Sequence, residues 1–164
     1  TIHLREDRRH IKDNDAKKIC SLKKILVNLE ISTNSKMINK ALKIKPNFIC
    51  LVPENRKEIT TEGGLDLKKN KNKIKTIISK FKRKRIRTSL FINPSIQDIK
   101  TSYELGSDCV EIHTGKLSRL IKSKKNYFKE FDRIKKCSYI AKKLDLRCML
   151  VMGLITKQLN CYLE

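Results

Sequence analysis

The chain has 164 residues and 39% hydrophobic content, enough for one domain (1–164) with a sizeable core. Its 39 Lys and Arg outweigh 17 Asp and Glu, a formal net charge of +22. No apolar run approaches the roughly 20 residues of a membrane helix, no secretory h-region opens the chain, and six dispersed cysteines without C-x-x-C or His at zinc spacing read as small apolar groups in a reducing cytoplasm rather than as disulfides or metal ligands.

The elements alternate from the first residues. Ile2-His3-Leu4 is a short extended run, followed at once by the octet His3-Leu4-Arg5-Glu6-Asp7-Arg8-Arg9-His10. An amphipathic stretch over 15–23 leads to an apolar strand over 25–29 that Glu30 closes. A helix over 35–42, with Ser35 at its N-cap and Pro46 stopping it, precedes a strand over 48–52. The connection from Pro53 to Asp66 is long for a strand-to-helix loop, as functional lids often are, and its Gly63-Gly64 pair allows positive φ and close approach to a ligand. A helix over 69–81 ends in the basic run 80–85, a solvated helix terminus whose cations suit the dipole. A strand over 88–92, a helix over 95–105 with Pro94 at its first turn, a strand over 109–112, a long helix over 124–144 and a strand over 148–151 complete about six strand-helix units.

Short, continuous apolar strands separated by helices predict a parallel sheet, either doubly wound or closed as a (β/α)8 barrel. No Gly-x-Gly-x-x-Gly follows any strand, which weakens the dinucleotide-binding form. His3, Arg5, His10, Glu30, the loop after residue 52, Glu111, His113 and Gly153 stand near or past the carboxyl ends of different strands. A barrel gathers those ends into one mouth. Six units fall short of eight, so the expectation is an incomplete TIM barrel, a fragment lacking the first and last strands.

Arg and His at a strand end suit phosphate binding and proton transfer, although the octet also reads as a solvated helix start. Leu51-Val52-Pro53-Glu54 followed by Thr60-Thr61-Glu62-Gly63-Gly64-Leu65-Asp66, and then Glu111-Ile112-His113-Thr114-Gly115, extend the pattern. With these motifs the chain resembles the pyridoxine 5′-phosphate synthase family from Thr1 to about Leu154. The resemblance implies a cytoplasmic, homo-oligomeric TIM-barrel enzyme. It condenses two phosphorylated small molecules, 1-deoxy-D-xylulose 5-phosphate and 3-amino-2-oxopropyl phosphate, into pyridoxine 5′-phosphate, releasing phosphate and water with no metal or organic cofactor. It further implies His3 as general base, Glu30 as second proton acceptor and Glu111 as stabiliser of the transition state. Arg5, His10 and Thr60 would bind the deoxyxylulose phosphate, and Gly153 the amino-ketone phosphate.

Other readings stand beside these. Glu30 could cap a turn, Thr60 likewise, and His113 could be a packed strand-end imidazole. Glu111, inside an apolar strand, should find a polar partner or line a polar mouth. Where the family carries Asn-Ala-Gly-His-Gly-Leu this chain has Met149-Leu150-Val151-Met152-Gly153-Leu154, so a proton-donating His is replaced by Met152. A decayed, inactive copy is therefore one alternative. The charge supports another, a basic nucleic-acid-binding protein, although scattered Lys and 5% aromatics without Trp offer little on which bases could stack.

Overall fold

The computed structural model describes residues 1–53 and 63–151. Its elements run β1 (Ile2–His3), α1 (Asp13–Cys20), β2 (Asn28–Ile31), α2 (Ser35–Ile44), β3 (Phe48–Leu51), α3 (Leu67–Lys82), β4 (Arg87–Ile92), α4 (Ile96–Glu104), β5 (Cys109–His113), α5 (Gly115–Lys122), α6 (Phe128–Lys143) and β6 (Arg147–Val151). The strands form one parallel sheet in the order β1-β2-β3-β4-β5-β6. A doubly wound sheet reverses its order at a switch point. This one never reverses, so right-handed crossovers stack every helix on the same face.

Strand alternation sorts the side chains between two faces. Leu29, Ile31, Ile49, Leu51, Leu90 and Ile112 enter the core between sheet and helices, where they meet Phe81, Ile99 and Ile134. Their neighbours Glu30, Cys50, Ser89, Phe91, Glu111 and His113 face the other way. On that side Cys50, Val52 and Phe91 form a small apolar cluster with Val151.

One hydrogen bond measures the curvature of the sheet. Asn28 Nδ2 on β2 donates to Glu111 Oε1 on β5 at 3.1 Å. Three strand spacings separate these strands, roughly 14 Å on a flat sheet. Asn28 is level with Phe48 and hence with Arg87, and Ser89 is level with Cys109. Position 107 therefore stands opposite Asn28, and Glu111 lies four residues beyond it, roughly another 13 Å along the strand. Asn and Glu side chains do not bridge that gap unless the sheet curls and its strands tilt, as they do in barrels. The architecture is an open α/β arc consistent with an incomplete TIM barrel.

Local chemistry sets the boundaries, and some differ from expectation. Asn34, not Ser35, is the N-cap of α2, its side chain accepting from Lys36 N at 2.9 Å. Lys45 closes that helix in the left-handed region at φ 55°, directly before Pro46. β2 begins three residues later than its apolar run suggests. Ile25 and Leu26 are 47% and 74% exposed in the preceding turn, and Glu30 lies within the strand rather than past it. The run over 80–85 behaves as expected, exposed except for Phe81, which is fully buried. No helix among the described residues is long and apolar enough to cross a membrane.

Candidate active site

His3 and Glu30 face each other because the parallel register sets them opposite on β1 and β2. Nδ1 of His3 lies 3.6 Å from Oε2 of Glu30. Burial lowers the His3 pKa and the Arg5 charge lowers it further, whereas burial raises that of Glu30, aided by the negative charge of Glu111. The two shifts draw the groups together in proton affinity. His3 Nε2 is buried with no hydrogen-bond partner among the described residues. An Nδ1–H turned towards Glu30 leaves the Nε2 lone pair free to accept a proton.

Glu111 sits on the same concave face, only 2% exposed. A carboxylate in that position needs donors, and it has them: Ser89 Oγ donates to its Oε1 at 2.7 Å and Asn28 Nδ2 at 3.1 Å. The thiol of Cys50 lies in this layer, its pKa pushed well up by burial and by the charge of Glu111, so it remains protonated. Sequence reasoning anticipated a partner for Glu111 but named neither Asn28 nor Ser89. Counting by twos from Glu30 and from Glu111's neighbouring strand would have placed both on the inner face.

The octet divides into residues without a side-chain hydrogen bond at the guanidinium Nε and residues that brace the loop. The Arg5 side chain is 12% exposed, and its Nε is paired with Asp7 Oδ1 at 3.5 Å but makes no hydrogen bond among the described residues. Arg8, at φ 55°, holds the loop: Nη1 donates to the carbonyl of Arg5 at 2.6 Å and Nε to Asp13 at 2.9 Å. Glu6 ties this loop to the one after β2, accepting from Ser32 Oγ at 2.6 Å and Asn34 Nδ2 at 3.3 Å. His10 is exposed at the end of the same loop. The structure brings His3, Arg5, Glu30 and Glu111 to one side of the sheet. Thr60 and Gly153, with Met152, lie outside the described residues.

Both flanks of the segment containing Thr60 are anchored at this mouth. Pro53 follows the end of β3, and Gly64 passes against the end of β4, its N–H donating to Asn93 Oδ1 at 3.0 Å while Leu65 N donates to Phe91 O at 2.8 Å. His113 is buried at the end of β5, its ring 5.3 Å from that of Phe91. Gly115 leaves it room: a Cβ there would stand 2.5 Å from His113 Nε2. A cavity of about 580 Å³ opens at the other end of the strands, lined by Asn28, Phe48, Arg87, Ser89 and Arg147 among others. His3 and Glu30 are not on its wall.

Residues 1–162 match the family model described as pyridoxal phosphate biosynthesis protein PdxJ. The chain belongs to the PdxJ family. It is 63% identical over 146 residues to the pyridoxine 5′-phosphate synthase of Pelagibacter ubique, covering 89% of this chain and 61% of the relative. A Blochmanniella pennsylvanica protein of the same name is 47% identical over 136 residues, 83% of this chain and 55% of that one. One from a Sulfurihydrogenibium species is 45% identical over 157 residues, 94% and 64% respectively. The chain thus spans about three fifths of the length of these PdxJ relatives. PdxJ is a TIM-barrel family, in keeping with the curled parallel sheet.

Proposed function

We propose that this chain carries the proton-handling face of a pyridoxine 5′-phosphate synthase. The reaction joins 1-deoxy-D-xylulose 5-phosphate and 3-amino-2-oxopropyl phosphate and closes the pyridine ring, with loss of phosphate and water. Such a sequence is a series of proton transfers on carbonyl and imine intermediates and needs several acid-base groups around one pocket. In this reading His3 removes protons through Nε2, Glu30 takes the proton on from Nδ1, and the Glu111 carboxylate stabilises positive charge as it develops. Arg5, with His10 and Thr60, binds the phosphate of the deoxyxylulose substrate, and Gly153 lies against that of the amino-ketone. The enzyme is a cytoplasmic homo-oligomer. The observation that carries the reading is His3, whose Nδ1 stands beside the Glu30 carboxyl of raised pKa and whose buried Nε2 has no partner among the described residues.

The test is incubation of the purified chain with both phosphates while following pyridoxine phosphate absorbance and released phosphate. Turnover is expected, falling by about 10²- to 10⁴-fold in His3→Gln, as for loss of a general base. Absence of turnover, together with imidazole resonances of His3 that do not move when either phosphate is added, would overturn the proposal.

A further inference from the structure

Glu111 is held from two sides of the arc. Ser89 reaches it from the adjacent strand β4 and Asn28 from β2, and both donate to Oε1, so neither occupies Oε2. We infer that Asn28 and Ser89 are positioning residues, which fix Glu111 by one oxygen and hold its charge beside Glu30. The inference rests on the reading of the site proposed above.

The cost of the arrangement argues for its use. Asn28 Oδ1 is buried with no hydrogen-bond partner among the described residues, and an atom left so is destabilising. An apolar side chain at residue 28 would avoid that penalty, and apolar packing in place of buried polar groups is often neutral or stabilising. The amide instead gives its shorter bond to Glu111, at 3.1 Å, with Thr1 Oγ1 a longer second contact at 3.5 Å. Ser89 also has a second acceptor in reach, Ile49 O at 3.4 Å, yet its short contact of 2.7 Å is to the carboxylate. Both residues also line the cavity at the amino ends of the strands.

The experiment reads the carboxyl of Glu30 by NMR titration of protein carrying labelled glutamate, and needs no turnover. The charge of Glu111 helps to hold the Glu30 pKa up, so Glu111→Gln should lower the Glu30 midpoint. If Asn28 and Ser89 fix Glu111 in place, Asn28→Ala/Ser89→Ala should lower it in the same sense, while Ser89→Thr, which keeps the hydroxyl, should match the wild type. Retained amide dispersion confirms a folded variant, and Ser89→Ala alone serves if the double variant does not fold. A fall in Glu111→Gln without a fall in the alanine variants would overturn the positioning role and leave the site intact. No fall in Glu111→Gln would remove both the positioning role and the convergent site.

Discussion

Gly64→Ala tests how the mouth is built. An added Cβ would lie 2.3 Å from Asn93 N, 2.4 Å from Ile92 C and 2.5 Å from Ile92 Cα. All three are backbone atoms of the end of β4, so no rotamer change relieves the clash. Overpacking costs about 1–3 kcal/mol. Moving the chain away also endangers the bonds from Gly64 N to Asn93 and from Leu65 N to Phe91, each worth about 1 kcal/mol. Together these give about 3–5 kcal/mol, which for a chain of this size lowers the melting temperature by roughly 6–20 °C. Gly106→Ala is the control. That glycine sits at φ +78° with nothing within 4 Å of the added carbon, so it costs only left-handed strain of about 1–2 kcal/mol. Circular-dichroism melts of the two variants decide the matter. If both fall within about 2 °C of each other, the close approach of the loop to β4 is not what the glycine serves.

Gly115→Ala should displace the His113 ring, seen as shifted imidazole resonances, with a smaller loss of stability than Gly64→Ala because a ring can turn where backbone cannot. Glu30→Gln should stabilise the protein near pH 7. A carboxyl whose folded pKa is raised contributes fully below its unfolded value near 4.5 and loses that contribution as pH rises through the folded value. The gain should therefore vanish in denaturant titrations at about pH 4, and a stability difference that does not vary with pH would refute the buried-carboxyl account. Asn34→Ala should cost about 1 kcal/mol, as loss of an N-cap does, whereas Ser35→Ala should change little. Equal losses in the two would return the cap to Ser35.

The strand-helix order and the gathering of His3, Glu30 and Glu111 on one face were legible because each strand carries an apolar run and these polar groups stand at or near its end. The face on which polar groups would gather was less so. Continuous apolar strands suggested cover on both sides, yet Asn28, Glu30, Ser89 and Glu111 all belong to the concave side, where period-two alternation rather than run length is informative. Ile25 and Leu26 drew the β2 frame towards the amino end because hydrophobicity does not reveal exposure. Helix α5 was missed since Gly115 opens it, a residue that normally argues against a helix. Arg8 and Arg5 look equivalent in sequence, and only the left-handed φ of Arg8 and its bonds to loop carbonyls distinguish it as the brace of the loop.

The Asn28–Glu111 bond joins residues 83 positions apart. Contacts of such long sequence separation close large loops and are slow to form, whereas helical turns and adjacent strand pairs assemble locally. The chain must gather β2 to β5 into an arc before this bond can exist, and until then Glu30 lacks the neighbour that raises its proton affinity. The titration of one carboxyl therefore reports on the gathering of the arc rather than on any single strand.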